Sequence, residues 1–295
     1  MTSRSRAEFV LLGVTVAWGG SFLVVKNTLA TLPPFTLLAL RFTLAAAALA
    51  LVFRGGALAL GRDAAGRSHW RTAAWIGALL WGSFAFQTTG LQFTTPARSG
   101  FITATYVAMV PLLARAVLKR ALRKRVITAV LAALMGLYLL TDPRGSGANL
   151  GDALTLLAAL GFAAHMIALE RWGREMPSPA LSFAQMAVVA GLSLPLALAL
   201  ERSPAPLSRG PIFALAYLGL ICSAAGFLGQ TWGQRHTSPT RVGLIFSLES
   251  LFAALLSVAI GAETLTAWQW LGGLMLVAGV VVGELPDEAA ETRAI

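Results

Sequence analysis

Glu249, His165 and Arg41 are ionisable residues set inside long apolar runs of this chain. An ionised carboxylate at the centre of a membrane helix costs ~2.5–3.5 kcal/mol or more unless it is paired or wetted. Glu249 would therefore suit proton coupling; the alternative is a structural partnership with Arg41 or Arg115. His165 is the only histidine within an apolar run. It is either a titrating functional group or a neutral imidazole bonded to a neighbouring carbonyl. Arg41 could bind a substrate carboxylate or belong to a structural ion pair, and Lys26 lies close enough to the end of its run to snorkel.

The elements that position these residues must be membrane helices. Of the 295 residues, 57% are apolar and 12% charged, against about 25% charged in soluble domains. So few charges cannot cover a water-facing surface of this size. Apolar runs fall near 9–29, 34–53, 72–92, 97–118, 126–141, 150–169, 179–200, 211–232, 240–261 and 266–284. Each approaches the ~20 residues that cross the hydrocarbon core, and period-2 alternation is absent, which argues against a barrel. The expected fold is an all-α integral membrane protein with ten transmembrane helices. The Phe9–Val25 run is longer than a signal core and has no cleavage pattern behind it, so it reads as a retained first span.

Charge gives an orientation. With the N-terminus cytoplasmic, sixteen of the 23 Lys and Arg fall on the inner side: Arg4 and Arg6; Arg54, Arg62, Arg67 and Arg71; Lys119, Arg120, Arg123, Lys124 and Arg125; Arg171 and Arg174; Arg235 and Arg241; and Arg293. Four fall outside (Arg98, Arg144, Arg202 and Arg209), and Lys26, Arg41 and Arg115 lie within spans. This is the positive-inside pattern with both termini cytoplasmic, expected in a bacterial inner membrane. It accounts for the net charge of +10 without a nucleic-acid partner. Trp70, Trp172, Trp232, Trp268 and Trp270 lie near span ends, where aromatic belts form. The lone Cys222 excludes an internal disulfide and a cysteine-rich metal site, and no cofactor or metal motif is present.

The two halves repeat. Residues 87–102, QTTGLQFTTPARSGFI, recur at 230–245 as QTWGQRHTSPTRVGLI, with Gln, Thr, Gly, Thr, Pro, Arg, Gly and Ile matched at an offset of 143. Gly136 and Gly279 keep that register, as do Phe84 and Phe227. The expected units are 1–142 and 150–285, followed by a cytoplasmic tail at 286–295. Five spans per half is an odd number, so the second copy enters the membrane from the opposite side. Inverted repeats of this kind are characteristic of transporters.

Equivalence between the halves points to the residues of a shared cavity. Trp18 and Ser21 share a helix face at i, i+3, and an offset of 144 places Phe162 and His165 opposite them. Tyr106 is the counterpart of Glu249. Gln87, Gln230 and Gln185 could hydrogen-bond a zwitterion, although bonding between helices is the commoner role. The expected substrate-binding set is Trp18, Ser21, Phe84, Gln87, Tyr106, Phe162, His165, Gln185, Phe227 and Gln230, with Glu249, Arg41 and Pro111 in coupling or gating. Thr95-Pro96 and Ser238-Pro239 are capped helix starts. They put Arg98 and Arg241 where the helix dipole disfavours cations, leaving lipid headgroups, opposing carbonyls or a gating role to compensate them. Gly279-Val-Val-Val-Gly283 fits close helix packing, within the fold or between subunits. Pro111 and Pro195 should bend their spans.

Trp18-Gly-Gly-Ser-Phe22, Leu40-Arg-Phe42 and the T-[TS]-P-x-R-x-G turn together resemble the drug/metabolite transporter superfamily, and within it the ten-helix EamA-type members. The chain is most similar there to bacterial amino-acid exporters of the YddG type. The resemblance covers both halves and implies proton- or gradient-driven export of small metabolites through a central cavity. Leu248-Glu-Ser-Leu251 departs from the Leu-Glu-Pro more usual in that group, so no proline kink is implied there. Partners are then a small-molecule substrate and the lipid bilayer, with the chain a monomer or homodimer.

Export of amines, drugs or sugars is the nearest alternative, and a membrane enzyme or a channel stands further off. HExxH is absent, Asp142 and Asp152 lie at span ends, Ser21 has no GxSG context, and no charged ring or filter motif appears. Cysteines introduced at Ser146 and Ser208 should react with an impermeant thiol reagent from outside, and one at Ser68 from the cytoplasm. Labelling of all three from one side would contradict this orientation.

Overall fold

The computed structural model describes residues 2–61, 68–141, 148–202, 208–259 and 264–284, and every regular element among them is helical. The chain begins with α1 (Ser3–Gly19), α2 (Ser21–Thr28), α3 (Pro34–Phe53), the short α4 (Gly55–Leu58) and α5 (Trp70–Gly90). Next come α6 (Pro96–Ala104), α7 (Tyr106–Leu118), α8 (Lys124–Thr141), α9 (Leu150–Trp172) and α10 (Ser178–Leu200). α11 (Arg209–Ala216) runs through a π-helical segment (Tyr217–Ala225) into α12 (Gly226–Gly233). The last elements are α13 (Pro239–Ser247), α14 (Glu249–Ala259) and α15 (Ala267–Glu284). Among the described residues, seven helical stretches are long and apolar enough to cross a membrane: Ser3–Thr28, Pro34–Phe53, Pro96–Leu118, Leu150–Trp172, Ser178–Leu200, Arg209–Gly233 and Pro239–Leu256. α5, α8 and α15 pack among them with 21, 18 and 18 residues. Arg62, Arg67, Asp142, Arg144, Ser146, Arg293 and the tail from 286 lie outside the described residues.

Helix starts follow local chemistry. The Thr95 and Ser238 side chains accept from the Arg98 and Arg241 backbone N–H groups, and proline follows each cap. Asn149 and Asp152 form a capping box at the start of α9. At α3, which opens on Pro33-Pro34, the Glu201 carboxylate accepts from the Phe35 and Thr36 N–H groups at 2.8 and 2.7 Å. A carboxylate at a helix N-terminus also complements the dipole. Lys26 reaches the turn after α5, where its Nζ donates to the Leu91 and Thr94 carbonyls at 2.6 and 3.0 Å.

Close packing is built on glycine. A Cβ at Gly136 would sit 2.6 Å from the Leu276 nitrogen, and one at Gly279 would sit 2.8 Å from the Ala129 carbonyl. The α8 and α15 backbones therefore touch, and Gly279 of the Gly279–Gly283 motif serves packing within the fold. α3 packs on α10, and α5 on both α9 and α10. Pro111 and Pro195 lie inside helices that continue through them. On the outside, Leu51, Leu198, Leu200, Phe213 and Leu274 are exposed, a surface suited to lipid chains and not to water. Trp70, Trp172, Trp268 and Trp270 are exposed near helix ends, whereas Trp232 is half-buried and rests on His236 with ring centroids 4.8 Å apart.

Gly136→Leu should lower the melting temperature in detergent through a strain of at least ~1–3 kcal/mol, the usual cost of overpacking. Gly13→Ala, where an added Cβ meets nothing within 4 Å, should leave it unchanged.

Candidate functional site

The interruptions of the long helices converge on one cavity. α1 gives way to α2 at Gly20, α6 to α7 at Thr105, and α13 to α14 at Leu248. At the last two breaks the backbone closes i→i−3 bonds, Thr105 N–H to the Ile102 carbonyl and Leu248 N–H to the Ile245 carbonyl. The π-helical segment Tyr217–Ala225, between α11 and α12, is a fourth irregularity. Each lies within a turn or so of cavity-lining residues: Trp18 and Ser21, Thr103 and Tyr106, Phe246 and Glu249, and Phe227. The residues at the three breaks keep right-handed helical dihedrals, so each is a local irregularity in a helix that continues through it, and the flanking side chains reach the cavity.

The cavity measures about 40 Å³. Besides the residues just named, it is lined by Arg41, Phe84, Gln87, Phe162, His165, Met166 and Gln230. One side is aromatic. Trp18 contacts Phe227 and Phe246 at centroid distances of 5.2 and 4.9 Å, and Phe84 contacts Phe162 edge-on at 5.2 Å. The Trp18 indole N–H donates to the Cys222 carbonyl at 2.8 Å, inside the π-helical segment. A Cβ at Gly226 would come within 2.8 Å of that indole nitrogen, so glycine is needed for the ring to lie there.

The charged groups sit among these rings. Arg41, 3% exposed, donates from Nε to the Ser223 hydroxyl at 2.7 Å. Its guanidinium lies 4.9 Å from the Phe84 ring centroid and 5.1 Å from that of Phe42. Cation–π contacts and one hydrogen bond thus hold it, where the sequence favoured an ion pair. Glu249 is 8% exposed and pairs with neither Arg41 nor the exposed Arg115. Opposite charges share the cavity without joining each other.

The polar side chains divide into satisfied and open groups. His165 Nε2 lies 2.6 Å from Gln185 Oε1, and the Gln185 amide nitrogen donates to the Leu181 carbonyl. A neutral His165 therefore carries its proton on Nε2. Gln185 itself stands behind His165, outside the lining, as a positioning group. Gln87 Nε2 donates to Thr103 Oγ1 at 3.0 Å. The Tyr106 hydroxyl and Gln230 Oε1 are buried with no hydrogen-bond partner among the described residues, and both residues line the cavity. Buried polar atoms are otherwise nearly always bonded.

Eleven of the thirteen residues singled out from sequence thus surround one cavity; Gln185 and Pro111 do not. Pro111 borders a second cavity of about 360 Å³, beside Arg120, Arg125, Ser238 and Arg241. A third, of about 420 Å³, is lined by Thr95, Pro96, Gly19, Leu140 and Gln269 among others. Thr103, Met166 and Phe246 line the central cavity and were missed. Thr103 and Phe246 are 143 residues apart, one turn before Tyr106 and Glu249, so the repeat carried the signal for both. Among the described residues no group of three His, Cys, Asp or Glu could hold a metal ion.

Comparison with known proteins agrees with this construction. A model of the EamA-like transporter family matches residues 5–142 and 149–283. An uncharacterized transporter of Archaeoglobus fulgidus is 31% identical over 96% of this chain and 87% of its own length. A probable amino-acid metabolite efflux pump of Salmonella typhimurium is 26% identical over 93% of each chain. One solved crystal structure superposes with a TM-score of 0.80 over 95% of this chain and 96% of its own, at 20% identity, and so shares the fold.

Proposed function

The chain belongs to the EamA-like transporter family, and from that premise we propose that it exports small zwitterionic metabolites, foremost amino acids with aromatic or apolar side chains. It is a multi-pass membrane transporter. In our reading α5, α8 and α15 also cross the bilayer, giving ten spans as two inverted halves with both termini cytoplasmic in a bacterial inner membrane. The sixteen-to-four distribution of cations supports that orientation.

The carrying observation is the pairing of a buried guanidinium and a buried carboxylate, unjoined to each other, in one aromatic cavity. A free amino acid brings the complementary charges, its carboxylate for Arg41 and its ammonium for Glu249. The ring faces of Trp18, Phe84, Phe162, Phe227 and Phe246 suit an apolar side chain. Tyr106 and Gln230 offer open polar atoms for the remaining hydrogen bonds. The name of the Salmonella relative supports the same substrate class.

Geometry and the sequence repeat together support alternating access. About 40 Å³ is far below the roughly 300–1,000 Å³ of ordinary ligand sites, so the cavity must enlarge toward one face to admit a substrate. Lining residues recur at the repeat offset: Phe84 with Phe227, Gln87 with Gln230, Thr103 with Phe246, and Tyr106 with Glu249. Two halves that contribute equivalent surfaces can exchange conformations around a fixed site. Glu249 is then the leading coupling group, because its charge is costly in the closed cavity and tolerable once water enters.

Proteoliposome transport tests both roles. Glu249→Gln should abolish accumulation driven by a proton gradient, while exchange of labelled for unlabelled substrate persists at saturating concentration with an apparent affinity weakened at least tenfold. Unchanged pH-dependent accumulation would remove Glu249 from coupling, and parallel loss of both activities together with thermal stability would make it structural. Arg41→Gln should weaken apparent affinity about 10- to 100-fold, the worth of a charge-assisted hydrogen bond of ~1.5–3 kcal/mol.

A further inference from the structure

Two ion pairs stand at repeat-equivalent places, one toward each end of the molecule. Arg98 meets Asp152 at 2.5 Å, and Arg241 meets Glu8 at 3.6 Å. Arg98 and Arg241 are separated by 143 residues, and Glu8 and Asp152 by 144, the same two offsets that relate the cavity residues. Each pair crosses between the halves: Arg98 in the first binds Asp152 in the second, and Arg241 in the second binds Glu8 in the first. We infer that these pairs are twin latches, each holding one face of the cavity shut and each released in turn.

Their placement fits that role. Arg98 and Arg241 are the third residues of α6 and α13, the outer pieces of the two broken helices that lead to Tyr106 and Glu249. Asp152 and Glu8 lie near the starts of α9 and α1; α9 carries Phe162 and His165, and α1 carries Trp18 and leads into Ser21 at the start of α2. By helix rise each latch lies ~7–15 Å along its helices from the cavity-lining residues. A cation in the first turn of a helix opposes the dipole, so each arginine needs a carboxylate brought to it. Moving a broken helix away from the neighbouring first helix of the other half must break that pair. The 420 Å³ cavity borders the start of α6 and the 360 Å³ cavity the start of α13, so space reaches both latched helix ends.

The latches are unequal. Asp152 also accepts from the Thr94 hydroxyl at 2.9 Å and the Asn149 N–H at 3.1 Å, and its side chain is 10% exposed. Gly90 and Gly151 abut beside it, so closely that a Cβ on Gly90 would sit 2.9 Å from the Gly151 carbonyl. Glu8 is 25% exposed and divides its carboxylate between Arg241 and Arg4, the latter at 2.6 Å. Buried, multiply bonded pairs are harder to open than exposed, shared ones. The Arg98 face is therefore the one held more firmly closed.

This inference rests on the cavity being the transport path, and the test separates the two ideas. The reporter is Ser21→Cys in a Cys222→Ala background, reacted with a membrane-impermeant maleimide in right-side-out and inverted vesicles of the full chain. Asp152→Asn should raise labelling from the Arg98 face at least threefold and leave the other face unchanged or lower. Arg98→Gln, which removes the opposite partner, should do the same and stands in if Asp152→Asn fails to fold. Glu8→Gln should raise labelling from the Arg241 face by a smaller factor. The exchange Arg98→Asp with Asp152→Arg should return labelling toward the parent. Reporter labelling in the parent that neither single variant alters, or alters equally at both faces, overturns the latches and leaves the cavity a passage. No labelling from either face in any folded variant overturns both.

Discussion

Burying a guanidinium and a carboxylate within an apolar helix assembly costs several kcal/mol for each ion unless its surroundings compensate, and Arg41 and Glu249 impose that constraint on everything around them. Direct pairing would relieve it but would leave the cavity without exposed charge. Instead Arg41 is stabilised by the Phe84 and Phe42 rings and by Ser223. Glu249 stands at the first position of α14, just after a helix break. The two charges stay available to a ligand because the compensation comes from neutral groups.

The aromatic and glycine residues serve that arrangement. Trp18 can lie against Phe227 and Phe246 because Gly226 has no Cβ and because the π-helical segment brings the Cys222 carbonyl within reach of the indole N–H. Gly19 does the same for the neighbouring break, since a Cβ there would sit 2.8 Å from the Phe252 Cβ and 3.1 Å from the Glu249 carbonyl. His165 is fixed by Gln185 from behind and presents the rest of its ring to the cavity. The site is positioned by backbone irregularities that close packing of small residues permits.

Much of this was legible in the sequence, and the reasons are specific. Glu249 stood out as a carboxylate within an apolar run, and Phe84, Gln87, Tyr106, Phe227 and Gln230 were found because two offset copies of one pattern should contribute equivalent faces to one space. Helical positions followed from apolar runs of membrane length, although α5, α8 and α15 are the elements whose length or composition speaks least plainly. The π-helical segment left no trace, since Tyr217–Ala225 reads as ordinary apolar helix. Gln185 was assigned to the lining because residue type says nothing about whether a side chain stands in front of or behind its neighbour. Lys26 and Arg98 found partners that no local spacing could reveal, as Leu91, Thr94 and Asp152 come from other elements. Arg41 departed from the expected ion pair because the Phe84 and Phe42 rings and the Ser223 hydroxyl, invisible in a linear reading, are what surround its guanidinium.

The central claim is that one cavity receives both charged ends of a zwitterion. Competition in a proteoliposome counterflow assay with labelled phenylalanine addresses it most directly, using as unlabelled competitors the amino acid, its decarboxylated amine and the corresponding acid lacking the amino group. Strong competition by the amino acid, with at least tenfold weaker competition by both singly charged analogues, is the predicted result. Equal competition by the amine or the acid would contradict it, because one of the two buried charges would then have no part in binding.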